Sequence, residues 1–510
     1  MHLFHDVSRV AVLDPPPTSD NPRGSPELER SAPLQRSWLI WPIIALSALV
    51  LFAASALRHH AFRSGAMDLG FFDQLTYLIS QGKTPVSSIL GYHLLGDHAA
   101  YVLYLVALLY WIWPNVHMLL VAQAISLASG AYPVYRIALT KQLSQRQSLA
   151  LAGAYLMYPV VLTANLFDFH PEVISVAALL FAVMFALQRR TAGFVIALAI
   201  ALGGKEIISL TVLAMGIWLA LFEKRKLHGA IAIVLGAGWF IVATQLVIPH
   251  FGAGKEASGV RFFAYLGSSV TEIAKNIVLQ PQRWMNVVFS VGTIKYLFIL
   301  FAPVAWALFP RRREWPRYLL PLLVCAAPTL AMNILAQTNE YDLKYPFAQY
   351  SLMVVPFLAI TFVYAVAEKQ AWLIRPRSIA VWSFALVLLG VGARLTMMKP
   401  EQAGNLASVQ ATREALARVH GTGAVLTTHE IAPHLSQRSF VQFVDPVKPR
   451  APIERFDYIL LNLSNESTKN ASALTAGIFE SVKSDPAFSL QFQRDSVYLF
   501  KRTDGTARAE

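Results

Sequence analysis

The residues best equipped for chemistry begin at Asp68. The stretch Met67-Asp68-Leu69-Gly70-Phe71-Phe72-Asp73-Gln74 sets a carboxylate at the head of an amphipathic segment, directly after the first long apolar run. There a carboxylate either caps a helix by accepting the free amides of its first turn or serves as a general base, and one residue can do both. Two more acidic groups follow: Asp97-His98, shortly after Gly91-Tyr92-His93, and Asp168-Phe169-His170-Pro171-Glu172. Carboxylate oxygens with imidazoles suit a divalent metal or a proton acceptor, although no spacing here is a metal signature; the plain alternative is helix capping by solvated carboxylates. Lys205-Glu206 follows Gly203-Gly204 between two apolar runs, so the pair either neutralises itself at low dielectric or takes part in a site. Lys205, Lys255, Arg261 and Lys344 are cations suited to a phosphate. His429 and His434, near the C-terminus, are expected at a surface.

The elements that carry these groups are membrane helices. The chain has 510 residues, 55% hydrophobic and 14% charged, where a soluble protein has about a quarter charged. Apolar runs of the length that crosses roughly 30 Å of hydrocarbon recur from Trp38 to Leu395, and lipid leaves helices as the expected solution for the backbone. About eleven spans result: 38–57, 116–138, 149–165, 172–188, 191–203, 207–222, 229–248, 287–309, 318–336, 346–366 and 378–397. The fold class is therefore mainly α, a polytopic helix bundle. Residues 1–37, rich in proline, read as a disordered cytoplasmic tail, 38–399 as the transmembrane domain and 400–510 as a small α/β extracytoplasmic domain. In the last, a helix is expected over 408–419, strands over 424–428 and 458–463, and a hairpin over 489–501. The only cysteine, Cys325, lies in an apolar run, which excludes an internal disulfide.

The formal charge of +13 is gathered in short clusters between apolar runs. That pattern points to cytoplasmic loops and away from nucleic acid. Arg136/Lys141/Arg146, Arg189/Arg190, Lys224/Arg225/Lys226, Arg311/Arg312/Arg313/Arg317 and Lys369/Arg375/Arg377 then face the cytoplasm of a cell membrane. The parity holds if 99–113, ended by Pro114, is an interfacial or re-entrant helix. The acidic loops and the C-terminal domain then share the outer face. Ionisable groups near membrane depth cost about 2.5–3.5 kcal/mol each on insertion scales, so their presence there calls for a role.

Met67-Asp-Leu-Gly-Phe-Phe-Asp-Gln74, Gly96-Asp-His98, Gln123-Ala, Pro133-Val-Tyr-Arg136, Asp168-Phe-His-Pro-Glu172, Lys205-Glu206, Lys344-Tyr345-Pro346 and His434-Leu-Ser-Gln-Arg438 together resemble a prokaryotic family of predicted multi-span membrane proteins of unknown function. That family looks like a distant relative of the GT-C glycosyltransferases, which include protein mannosyltransferases and lipid A aminoarabinose transferases. The resemblance implies a GT-C-like enzyme that moves a sugar from a polyprenyl-phosphate donor in the membrane to an acceptor on the extracytoplasmic face. It implies Asp68 as the catalytic acid/base and Asp168 as the second acidic residue. Asp73, Asp97, His98, His170, Glu172, Lys205, Glu206, Arg261, Lys344 and Tyr345 are the accompanying substrate-binding candidates. Leu69 departs from the family pattern, since many mannosyltransferases carry a second acidic residue there. A transporter or flippase of lipid-linked or small polar substrates and a non-catalytic membrane scaffold are the two other classes; internal duplication, which would favour transport, is not evident.

Overall fold

The computed structural model describes residues 37–254, 258–311, 317–337, 344, 349–397, 406–447, 450–464 and 469–503. Among the described residues, six helices are long and apolar enough to cross a membrane: Ile40–His60, His117–Thr140, Gln145–Phe167, Lys226–Phe251, Val291–Leu308 and Gln349–Ala367. A seventh passes as the bent pair Arg317–Cys325 and Ala327–Leu335, broken by 52°. Pro328, just past the break, offers no amide to the preceding turn and crowds its carbonyl. Glu172–Leu187, Thr191–Leu202, Ile208–Leu221 and the 376–397 helix complete the expected apolar segments, the first three being shorter than a full crossing.

The segment 99–113 forms only the nine-residue helix Val102–Tyr110, about 14 Å long, which is too short to span. Its first amide, on Val102, donates to the Gly203 carbonyl at 2.8 Å. Among the long helices Gln349–Ala367 is 89% buried, and side chains all round Glu172–Leu187 are buried too, as befits helices apolar on every face at the centre of a bundle. Ile208–Leu221 and Lys226–Val242 approach through glycines: a Cβ on Gly216 would lie 2.8 Å from the Gly229 carbonyl oxygen. Small residues permit such backbone proximity in membrane bundles.

The basic clusters meet at one end of the bundle. Arg311 N–H donates to the Gln370 carbonyl at 2.9 Å, Gln147 Nε2 to Ile374 at 3.2 Å, Arg225 to Leu187 at 2.9 Å, and Lys141 Nζ lies 3.8 Å from the centre of the Tyr364 ring.

The C-terminal region is a five-stranded sheet with a helix on each face. Strands β1 (Val425–Thr427), β2 (Val441–Phe443), β3 (Tyr458–Asn462), β4 (Phe488–Arg494) and β5 (Val497–Arg502) take the order β2-β1-β3-β5-β4. The first three are parallel, and the β4–β5 hairpin closes the sheet antiparallel. The period-two alternation of strands divides the core. Val425, Leu460 and Leu499 pack with Ala411 and Ala415 of the helix Leu406–Leu416. Leu426, Ile459 and Phe500 pack with Ile478 and Val482 of Lys469–Lys483. The short β2 and the helix Lys469–Lys483 are additions to the elements expected from sequence.

This small domain is bolted to the segment that carries Asp68. Ser88 Oγ donates to the Val441 carbonyl at 2.8 Å and accepts from the Val441 amide at 2.9 Å. Gln74 Nε2 donates to the Arg438 carbonyl at 3.2 Å. Asp73, fully buried, accepts from Ser436 and Tyr110 at 2.5 Å and from Gln437 at 3.2 Å. His429 and His434 are half-buried in this seam, which corrects the expected surface positions. The domain's docking consumed them.

Candidate functional site

Asp68 sits in a five-residue π-helical turn, Ala66–Gly70, whose N-cap is Gly65. Its carboxylate does not cap that turn. Oδ1 instead faces His170 Nε2 at 3.1 Å. His170 Nδ1 lies 3.3 Å from the Asp168 carbonyl; a carbonyl and a carboxylate both only accept, so a ring bonded to both carries both protons. Burial favours the uncharged forms, but the two charges outweigh it: Asp68 is held below the usual carboxylate range and His170 above the usual imidazole range. The Asp68 side chain is 34% exposed while that of His170 is 4% exposed.

Asp168 lies behind this pair and fixes the loop. Its carboxylate is paired with Arg58 at the end of the first span and accepts the Gly65 amide at 2.9 Å. Burial pushes its carboxyl up to about 6, against the pull of Arg58.

The adjacent Lys205 and Glu206 do not neutralise each other. Lys205 Nζ meets Glu172 Oε1 at 2.5 Å, and Glu206 faces His98 Nδ1 at 3.4 Å. His98 also lies 3.5 Å from Asp97. Burial would lower the His98 imidazole, yet its carboxylate neighbours, led by Asp97, raise it. Oε2 of Glu172 is buried with no hydrogen-bond partner among the described residues.

These groups share one cavity of about 340 Å³. Asp68, Asp97, His98, His170, Glu172, Lys205, Glu206 and Arg261 line it, together with apolar walls from Phe71, Phe72, Ile207, Phe262 and Met353. It thus has a carboxylate–imidazole pair and a set of cations among apolar and neutral polar walls, the mixture typical of a small-molecule site. Asp73 and Asp168 are not on its wall; the first ties the C-terminal domain to the bundle and the second braces the loop. Lys344 lies beside Gly292, also off the wall, and Tyr345 and Lys255 fall outside the described residues. Among the described residues no group of three or more His, Cys, Asp or Glu is arranged to hold a metal ion.

Arg58, Tyr92, Asn333, Gln349 and Tyr350 belong to the site or its support but were not singled out from sequence. Asn333 carried a usable signal, a polar amide within an apolar helix; it donates to Tyr296 at 2.9 Å. Arg58 carried none, since a basic residue at the end of a span is ordinary.

Gly96 sets the approach of the Asp97-His98 turn. A Cβ there would lie 2.7 Å from the Phe251 carbonyl oxygen and 2.8 Å from the Gly252 nitrogen, so backbone must move. Gly96→Ala is expected to lower stability by about 1–3 kcal/mol, as overpacking does. Gly238→Ala, where a Cβ meets nothing within 4 Å, is expected to be neutral or slightly stabilising. Thermal unfolding in detergent compares the two.

No curated protein sequence matches the chain. Among solved structures, ArnT from Cupriavidus metallidurans bound to undecaprenyl phosphate superposes with a TM-score of 0.54 at 12% identity, covering 93% of this chain and 100% of that one. The same protein in the apo state gives 0.55 at 11% identity, covering 91% and 97%. The fold is accordingly that of the GT-C membrane glycosyltransferases. Residues 58–499 match the family model of predicted membrane proteins DUF2079, and the chain belongs to that family.

Proposed function

We propose that this protein is a glycosyltransferase that moves a sugar from a polyprenyl-phosphate donor to an acceptor on the extracytoplasmic face of the cell membrane. The observation that carries this reading is the cavity whose wall holds Asp68 together with Lys205, His98 and Arg261. Transfer needs a base for the acceptor's proton and a fixed positive charge for the departing phosphate. Asp68 takes the proton of an acceptor hydroxyl or amine as that atom forms its bond to the anomeric carbon. The bond from that carbon to the phosphate oxygen breaks, and the electron pair leaves with the polyprenyl phosphate. Lys205, Arg261 and His98 offset the charge that develops on the phosphate.

The orphaned Oε2 of Glu172 gains a partner when a sugar hydroxyl donates to it, and a buried acceptor left without a partner is costly. The fold supports the donor class: the ArnT structure it resembles was solved with undecaprenyl phosphate. Sidedness rests on the basic loops gathering at one end of the bundle, since such loops stay cytoplasmic.

The test supplies the purified protein, in lipid nanodiscs, with polyprenyl-phosphate sugars labelled in the sugar and with bacterial envelope extract as acceptor. Expected is movement of label off the lipid, with release of polyprenyl phosphate. Intact donor carried across a proteoliposome membrane, with no bond broken, would replace this reading with transport.

A further inference from the structure

A second cavity, of about 180 Å³, lies in the seam between the bundle and the C-terminal domain, away from the residues of the proposed transfer chemistry. Four imidazoles meet on its wall: His59 and His60 at the end of the first span, His117 at the start of the next, and His434 from the C-terminal domain. The rings of His59 and His434 stack with centroids 3.9 Å apart. His60 Nε2 and His117 Nε2 face each other at 3.1 Å, and His117 Nδ1 is tied to Asn115 Oδ1 at 2.5 Å. His59 is 2% exposed. Its Nδ1, and Nε2 of His434, are buried with no hydrogen-bond partner among the described residues.

This packing accepts neutral rings and resists charged ones. Stacked imidazoles repel when both are protonated, and the facing Nε2 atoms have room for one shared proton. Charged neighbours offer little relief. Arg58 and Arg413 add positive charge, the latter bonded to the His60 carbonyl at 2.9 Å, and Arg438 is engaged with the Leu435 and Gly423 carbonyls. Asp73, the one carboxylate on this wall among the described residues, is already held by Ser436, Tyr110 and Gln437.

The same seam seats the Asp68 segment. A Cβ on Gly65 would lie 2.5 Å from His429 Nε2, and one on Gly70 would lie 3.4 Å from the Pro433 backbone. Residues 429–438 therefore press directly on the turn that presents Asp68.

We propose that the four-histidine seam is a proton-sensitive latch, which keeps the C-terminal domain seated on the Asp68 segment at neutral pH and releases it in mild acid. The reading is independent of the transfer chemistry. Opening hydrates His434 and returns it to an ordinary imidazole value of about 6.5. Burial and the neighbouring His60 hold His434 down to about 3 in the closed seam. A group depressed in the closed state binds protons preferentially in the open one, so the latch weakens as pH falls below about 6.5. Asp73 has the opposite sign: burial pushes it up to about 6, so its protonation favours closure, and mainly below that pH. At pH 6.0 a half-protonated Asp73 offsets the opening by only about twofold, less than one histidine contributes, so the histidines dominate the interval from pH 7.5 to 6.0.

Hydrogen exchange of the full chain in nanodiscs, corrected for the intrinsic pH dependence of exchange, reads the latch in peptides covering 65–74 and 429–438. Between pH 7.5 and 6.0 each titrating ring is expected to raise the open population by about fourfold. His59→Phe with His434→Phe keeps an aromatic stack that cannot be protonated, and is expected to lower the acid response sharply. A wild-type response confined to the intrinsic rate overturns the proposal, as does a response of full size in the double variant. If the double variant does not fold, His60→Gln with His117→Gln removes the more open half of the cluster; an unchanged response there overturns it equally.

Discussion

Asp68→Asn is expected to lower the rate of sugar transfer by about 10²–10⁴-fold, the range lost when a general base is removed, while leaving the fold intact. The carboxamide keeps the size of the side chain and an oxygen toward His170 Nε2, now 3.1 Å from Asp68 Oδ1, but it cannot take up the acceptor's proton. Initial rates with a labelled polyprenyl-phosphate sugar provide the measurement, with thermal unfolding as the control. Transfer at the wild-type rate would remove Asp68 from the mechanism. The pH profile carries a further sign. Asp68 is held below its ordinary range, so its ionised form persists as pH falls through about 4. The contribution of the raised His170 is present below its unfolded value and is lost as pH rises through its folded one. The ion pair thus spans the whole interval between the two ordinary values.

Lys205→Met is expected to cost about 3–5 kcal/mol of stability, because it strands a buried charge. Its partner Glu172 is 9% exposed and meets Lys205 Nζ at 2.5 Å, and Glu172 Oε2 has no hydrogen-bond partner among the described residues to take up the loss. Adding Glu172→Gln removes the stranded charge and should restore most of the stability, since a buried pair replaced as a unit is often close to neutral. Transfer separates the two roles. The double variant still lacks the fixed cation and is expected to stay slow by about 10²–10³-fold, the loss typical of one electrostatic stabiliser. Unfolding midpoints and transfer rates across the four members of this cycle supply both readouts. A single variant as stable as the wild type would mean that Glu172 finds another partner, and a double variant with full activity would exclude Lys205 from charge stabilisation.

Composition and apolar periodicity alone made this a helical membrane protein with a small α/β domain at its C-terminal end, because lipid forces every span to announce itself by length and hydropathy. The acidic and basic groups Asp68, Asp97-His98, His170-Pro-Glu172, Lys205-Glu206 and Arg261 were equally legible, being ionisable residues where the membrane makes such residues expensive; all of them reach one cavity. Pairing was not legible. Lys205 and Glu206 are neighbours in sequence, yet each finds its partner elsewhere, Glu172 for one and His98 for the other. In the short turn between their helices, consecutive side chains point apart, and their surroundings come from segments distant in the chain. Asp73 and Asp168 carried the same sequence signal as Asp68, but the docking of residues 434–438 and of Arg58 turned them into braces. The tertiary structure alone decided that Asp68 remains open to the cavity, because only packing between distant segments determines which carboxylate is covered and which is left to meet a ligand.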